Sequence, residues 1–258
     1  MQKYGQHFLI NQNVIGQIVD AALLLKSENL VEIGPGKGAL TEALIARGCS
    51  NFSVVEIDPE MAEYLQKTLP KEAAVKIILQ NFLQADLTVL APRPTLFVSN
   101  LPYIDAADIL DRVLNCPHFA AAVFMFQKEQ AQRICARAGE EFYGPLSIFS
   151  QLRAQTGLIC NVGRGCFNPP PKVESRVLAF TRLKQNTVAP AQWPAFKKLV
   201  TSAFLHKRKT LFNSLSLAGY DKEKIRLALD GLKLAPTVRP EQVSPAGYVD
   251  LLARLQQF

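Results

Sequence analysis

Two short stretches of the chain carry residue types that can do chemistry. The first is VSNLPYIDA, Val98 to Ala106. An apolar run, Leu96-Phe97-Val98, breaks off into Ser99, Asn100, Leu101, Pro102 and Tyr103. A side-chain amide, backbone carbonyls around a proline and a flat ring can together hold a planar base. The same residues also make an ordinary turn, because Asn and Pro are turn formers. The second stretch is LVEIGPGKGALTEAL, Leu30 to Leu44. Its glycines, Gly34, Gly36 and Gly38, let the backbone turn tightly and let a ligand approach where a Cβ would block it. The spacing is GxGxG, not the GxGxxG of dinucleotide folds, and alone it is equally a tight turn.

An acid strengthens the ligand reading. The next apolar run, FSVVEID, ends on Glu56 and Asp58. A carboxylate at the tip of a second strand can accept both hydroxyls of an adenosine ribose. Asp58, before Pro59 and Glu60, also fits a helix N-cap. Glu56 closes an apolar strand and has no capping role. Loop and acid together favour an adenosine-containing ligand.

Such groups need a scaffold that brings strand ends together. Candidate strands are 30–33, 53–57, 75–79, 96–99, 121–126, 158–162 and 176–181. Helical patterns lie between most of them, at 40–47, 60–69, 107–114 and 128–138. A further helix, about 13–25, precedes the first strand. Asp105 is placed to cap the helix that follows Tyr103. Strands alternating with helices predict a mostly parallel α/β sheet, whose ligands bind at the carboxyl ends of strands. KQNTVAPAQWP, Lys184 to Pro194, reads as a linker. Beyond it Phe196, Leu199, Val200, Ala203 and Phe204 keep a helical period. Helices fit 211–217, 222–229 and 245–255. The expected fold class is therefore α/β: a Rossmann-like sheet domain over residues 1–184 and a small all-helical domain over residues 185–258.

Composition narrows the partners. The 258 residues are 48% hydrophobic and 20% charged, which suits a packed core and argues against disorder. The formal charge of +7 suits a polyanion. Five scattered cysteines, with no CxxC pair, point to reduced thiols and not to a metal site. The longest apolar run, 119–126, is far too short to cross a bilayer, and the first residues lack a leader-like apolar segment. A cytoplasmic protein with no metal and no membrane partner is expected. His7, His118 and His206 stand in no triad order, and Ser99 is in no GxSxG elbow, so hydrolase chemistry has little support.

The pieces occur in a familiar order. GQHFL (5–9), EIGPGKGALT (32–41), VEID (55–58), NLPY (100–103), FMFQKE (124–129), YGPLSI (143–148), FNPPPKVES (167–175), AFLHKRKTLFNSL (203–215) and RPEQVSP (239–245) are all present. With these, nearly the whole chain resembles the bacterial small-subunit ribosomal RNA adenine dimethyltransferases. The resemblance implies a methyltransferase sheet with a helical domain. It implies S-adenosyl-L-methionine as donor and dimethylation of N6 on two adjacent adenines in a hairpin near the 3′ end of 16S RNA, within the immature small subunit.

Carried over residue by residue, the resemblance implies His7, Leu9, Gly34, Gly36, Glu56, Asn81 and Asn100 for the donor. For catalysis it implies Asn100, Leu101, Pro102, Tyr103 and Phe167, with the two rings sandwiching the base. Three positions depart from the family's pattern: His7 stands where Asn is commoner, Asn81 where Asp is usual, and Ile104-Asp105-Ala106 follow NLPY. Asp86 is the fallback for Asn81. Basic candidates for the RNA backbone are Lys128, Arg133, Lys172, Lys207, Arg208 and Lys209, with Arg137, Arg153 and Arg164 behind them. A monomer is expected. The competing readings are a large-subunit RNA adenine methyltransferase and a non-catalytic RNA-binding assembly or transcription factor. A nicotinamide dehydrogenase is a distant third.

Overall fold

Apolar strand runs that bury both faces, broken by caps and glycines, dictate the first layer of structure. The computed structural model describes residues 7–184, 187–206 and 208–257. In chain order it forms β1 (Phe8–Leu9), α1 (Gln12–Leu24), β2 (Asn29–Ile33), α2 (Ala39–Ala46), β3 (Ser53–Glu56), α3 (Pro59–Thr68), β4 (Lys76–Leu79), α4 (Leu87–Leu90), β5 (Thr95–Asn100) and α5 (Ala106–Leu114). There follow β6 (Phe119–Gln127), α6 (Lys128–Cys135), α7 (Pro145–Gln151), β7 (Ala154–Val162), β8 (Phe167–Asn168) and β9 (Ser175–Arg182). The helices α8 (Trp193–Phe204), α9 (Leu211–Leu217), α10 (Lys222–Gly231) and α11 (Pro245–Gln257) complete the chain.

The main sheet has seven strands in the order β4-β3-β2-β5-β6-β9-β7. The pairs β4/β3, β3/β2, β2/β5 and β5/β6 are parallel, and β6/β9 is antiparallel. The order reverses between β2 and β5, which makes their carboxyl ends the switch point. Alternation within β5 explains its uniform apolarity. Leu96 and Val98 join a core with α1, α2 and α3, while Phe97 between them meets Phe82 edge-on at 6.2 Å. A sheet covered on both faces needs such strands. The expected strands and helices of this part all form, with ends shifted by a few residues.

Caps fix where helices begin. Asn11 accepts from the Val14 N–H at 3.0 Å, and Asp58 accepts from the Glu60 N–H at 3.0 Å ahead of Pro59. Asp58 therefore takes the capping role open to it in the sequence. Asp105 does not: it sits at the N-cap of α5 without a side-chain capping bond. Its ψ of 1° is not the extended conformation that aims a cap side chain at the first turn.

Contacts divide the chain into two compact units, 1–131 with 155–182 and 132–154 with 183–258. The second unit is thus discontinuous, unlike the single cut at 184/185 expected from the linker. Residues 132–154 belong to it because their apolar side chains pack with α8, α9 and α11. Ala136, Tyr143, Ile148 and Leu152 share a core with Phe196, Leu211 and Tyr248. The Tyr143 hydroxyl donates to the Val243 carbonyl at 2.8 Å. Two stretches of the sequence pattern, YGPLSI and RPEQVSP, thereby meet in the interior of this unit. Helices α4 and α7 and the two-residue strands β1 and β8 were not among the expected elements. Among the described residues no helix is long and apolar enough to cross a membrane.

Gly38 tests the loop's packing. Its φ is +83°, and a Cβ there would lie 2.8 Å from Leu65 Cδ2, on a fully buried residue. Gly34, at φ +63°, has nothing within 4 Å of such a Cβ. Gly38→Ala should therefore lose about 2 kcal/mol or more in urea unfolding. Gly34→Ala should lose only the backbone part, about 1–2 kcal/mol. Equal losses at both positions would contradict the packing account.

Candidate functional site

The switch point opens into a cavity of about 590 Å³, within the roughly 300–1,000 Å³ span of small-molecule sites. Its wall includes His7 and Leu9 from the entrance segment and Gly34 and Gly36 from the loop after β2. Glu56 from the tip of β3 and Asn100 to Tyr103 from the end of β5 complete it. Of the residues expected to hold the donor, all but Asn81 meet here.

Local hydrogen bonds explain how each wall residue is held. The buried Ser99 hydroxyl donates to the Ile33 carbonyl at 2.5 Å, clamping the end of β5 to the start of the glycine loop. The Gly36 N–H donates to Glu56 Oε2 at 3.0 Å. Glu56 Oε1 accepts the Ile57 and Asp58 N–H groups at 2.8 and 2.9 Å. A carboxylate has about four acceptor positions, so three backbone donors leave about one, on Oε2, for a ligand hydroxyl. Gly36 has φ +55°, and a Cβ there would press on the Phe8 ring at 3.1 Å. That ring also carries the Lys37 ammonium 5.0 Å from its centre.

Asn100 Nδ2 donates to the His7 carbonyl at 3.2 Å. A carbonyl only accepts, so the amide nitrogen must face it, and Oδ1 takes the other branch. The Pro102 carbonyl accepts the Asp105 N–H at 3.2 Å, which leaves the Leu101 carbonyl as the stronger candidate for a second acceptor. The Tyr103 ring is half-buried. It lies 6.0 Å from the His7 ring at 31°, and its hydroxyl shares a hydrogen bond with Ser175 Oγ at 2.9 Å. Burial raises the Tyr103 pKa, and the Ser175 bond offsets part of that.

Two carboxyl groups sit at the cavity floor. Glu32 is 1% exposed, and the Thr41 hydroxyl donates to its Oε2 at 2.7 Å. Desolvation pushes its pKa from 4.5 to about 8, against the Thr41 hydrogen bond and with a smaller push from Glu56. Glu56 is also raised by burial, opposed by its three backbone donors. Sequence reading picked out Glu56 but passed over Glu32. Its cue was there, a carboxylate inside an apolar strand two residues before the first glycine.

Other expectations need correction. Phe167 is 3% exposed and does not line the cavity. It pairs with Leu9 in the β1–β8 ribbon and packs in the core with Val14, Ile18 and Val162. Exposing the ring forfeits about 1.5–3 kcal/mol of burial. Stacking on a base returns about 1–3 kcal/mol. The two magnitudes overlap, and the structure places the ring in the core. Asn81 is off the wall as well: its Oδ1 accepts the Leu83 N–H at 2.9 Å and caps a short turn at Phe82–Gln84. Asp86, the fallback, is exposed and caps α4 through Thr88.

Among the basic candidates, Lys172, Arg208 and Lys209 are exposed, as is Arg133. Lys128 pairs with Glu174 at 2.7 Å. Arg153 is buried and lies 3.9 Å from the centre of the Trp193 ring, so it is a core residue and not an RNA contact. Lys207 lies outside the described residues.

Comparison with known proteins follows the same outline. Residues 1–257 match the family model described as ribosomal RNA adenine dimethylase. A ribosomal RNA small subunit methyltransferase A from Lactiplantibacillus plantarum is 37% identical over 264 residues, covering 98% of this chain and 89% of that one. The crystal structure of a dimethyladenosine transferase from Plasmodium falciparum superposes with a TM-score of 0.79 at 23% identity, covering 97% and 98% of the two chains. The crystal structure of the 23S rRNA methyltransferase ErmE gives a TM-score of 0.73 at 27% identity, covering 97% and 100%.

Two measurements probe the corrected site. Glu32 has a folded pKa above its unfolded value, so its neutral form favours the fold below pH 4.5, and that contribution is lost as pH rises from 4.5 to about 8. The melting temperature of the free protein should fall across that window. Glu32→Gln should flatten the fall by about 2–4 °C for each kcal/mol recovered; an unchanged slope would exclude the assignment. Phe167→Ala should lose about 3–5 kcal/mol of stability, with Phe167→Leu keeping most of it. If the leucine variant is stable yet loses methyl transfer, the ring has a stacking role after all.

Proposed function

The chain belongs to the ribosomal RNA adenine dimethylase family, and on that premise we propose that it dimethylates N6 of two adjacent adenines in the 3′-terminal hairpin of small-subunit (16S) ribosomal RNA. The donor in this reading is S-adenosyl-L-methionine. One observation carries the reading: a base-sized amide-and-ring corner, Asn100 to Tyr103, shares a cavity with a glycine loop and a buried ribose-type carboxylate.

The residues present fit that donor. Gly34 and Gly36 keep the loop free of Cβ atoms where a nucleoside would lie, and Glu56 Oε2 retains an acceptor position for a ribose hydroxyl. Leu9 and His7 close the entrance side. When bound, S-adenosylmethionine supplies a methyl group on a sulfonium, so the leaving group needs no protonation.

The chain's task is then to present the acceptor. The N6 lone pair of adenine is delocalised into the ring, which makes the amino group a poor nucleophile. Asn100 Oδ1 and the Leu101 carbonyl accept its two hydrogens and turn the lone pair out of the ring plane. As the nitrogen becomes tetrahedral, the same acceptors stabilise its developing positive charge. Pro102 stiffens the corner and adds no competing N–H. Tyr103 offers its face to the base. Holding two reactants this way contributes on the order of 7 kcal/mol or more.

A base inside a duplex cannot reach this corner, so the target lies in a loop or is extruded. Lys172, Arg208 and Lys209, with Arg133 and Lys128, meet phosphates and set position, not sequence. The protein acts as a monomer, in the cytoplasm, on the immature small subunit. Likeness to ErmE keeps large-subunit RNA in view as the competing substrate.

The test uses labelled donor with unmodified small subunits, and primer extension on both RNAs. Expected is transfer to small-subunit RNA, with a stop at adjacent adenines. A stop confined to large-subunit RNA would move the assignment there. Binding without transfer would leave a non-catalytic assembly factor. Asn100→Ala should cut transfer by about 10²-fold or more, with donor binding retained in part. Turnover equal to the parent would remove Asn100 as the hook.

A further inference from the structure

Tyr103 sits in the turn between β5 and α5, where backbone alone fixes a ring poorly. Its hydroxyl tip is nevertheless tied down. Ser175, 1% exposed, shares a 2.9 Å hydrogen bond with it. Ser175 opens β9 and pairs with Gln127 of β6 in the antiparallel ladder. Its hydroxyl is therefore fixed to the main sheet and not to a loop. With the Cβ held by the turn and the hydroxyl held by the sheet, the long axis of the ring has one direction. The His7 ring, 6.0 Å away, limits spin about that axis. His7 is itself tethered, its Nδ1 bonding the Pro169 carbonyl at 2.9 Å. The FNPPPKVES segment thus acts on the cavity through Pro169 and Ser175, while its phenylalanine stays in the core.

We propose that Ser175 is a positioning residue for methyl transfer: its buried hydroxyl sets the angle at which the Tyr103 face meets the acceptor base. The inference rests on the functional reading above and adds a residue to it. Ser175 touches neither the cavity nor the reacting atoms. It acts only through the phenol, and this distinguishes it from a residue that merely stabilises the fold. Removing either partner of the bond should have the same consequence.

The experiment measures turnover on unmodified small subunits, donor affinity and melting temperature for five proteins: the parent, Ser175→Ala, Ser175→Thr, Tyr103→Phe and the Ser175→Ala/Tyr103→Phe double variant. Expected is a three- to ten-fold lower kcat for Ser175→Ala and for Tyr103→Phe, about the size of one neutral hydrogen bond. Donor affinity should stay within about two-fold, because the bond lies on the acceptor side. Ser175→Thr, which keeps the hydroxyl, should restore most of the turnover. The double variant should be no slower than either single variant, since both remove one bond.

Parent-like turnover in Ser175→Ala overturns the inference. So do single losses that multiply in the double variant, or a threonine no better than alanine. Should Ser175→Ala fail to fold, Tyr103→Phe still decides, because it keeps the ring and full turnover there excludes a role for the bond. A parent that binds but never methylates the RNA removes the functional reading, and the inference with it. A parent that methylates while Ser175→Ala keeps pace removes the inference alone.

Discussion

The end of β5 is pinned to the end of β2 by one short bond, from the Ser99 hydroxyl to the Ile33 carbonyl. It is fully buried and sits where the strand order reverses. Two parallel strands diverge there, and each runs on into a segment with its own demands. One becomes a glycine turn with positive φ at Gly34, Gly36 and Gly38. The other becomes an amide, a proline and a ring. Neither segment is a regular element, so neither can position itself. A fixed junction lets two irregular segments face each other across one cavity with defined separation. The ladder below supplies the rigidity, because β2 and β5 pair in register from Asn29 to Glu32 with Thr95 to Val98.

Electrostatics at the floor follow from the same junction. Strand tips carry carboxylates into a place where water is scarce. Burial raises Glu56, but three backbone donors favour its charged form and oppose that rise. Glu32 has one hydroxyl donor and no comparable set, and burial pushes it up to about 8. Two acids near each other in a dry site do not both ionise readily. The arrangement therefore separates them: one acid serves as an acceptor, and the other stays largely neutral at pH 7. A cavity prepared for a ligand carrying positive charge is the natural reason to tolerate that cost in the free protein, since burying an uncompensated carboxylate is expensive.

Much of this was legible in residue order because the rules behind it are local. Runs such as FSVVEID and TLFVSN can hardly be anything but strands in a covered sheet, and their last residues must then lie at the ligand end. Glycine spacing, the Asp58-Pro59 cap and Glu56 followed from that. What was not legible depends on partners far away in the chain. The β1–β8 ribbon is two residues wide, too short to show a period, yet it decides that Phe167 enters the core beside Leu9. Asn81 has the right type for a ligand contact, but its oxygen serves the backbone two residues on. The helical pattern at 128–138 looks like those before it, and nothing in the sequence of 132–154 says that its side chains pack with the C-terminal helices.

Residue type alone also misjudges charge. Arg153 looks like one more cation for a polyanionic partner, yet its guanidinium lies on the Trp193 ring in a dry interior. A planar cation on an aromatic face is stabilised by the ring quadrupole once water is excluded, by about 2 kcal/mol or more. That changes what the excess positive charge means. The count of basic residues says a polyanion is a suitable partner, but only cations that keep their hydration, such as Lys172, Arg208 and Lys209, can release counterions from a phosphate backbone. In the proposed reading, affinity for RNA then rests on fewer side chains than the sequence suggests, and selection of the base rests on the amide and ring at the end of β5, where no net charge is involved.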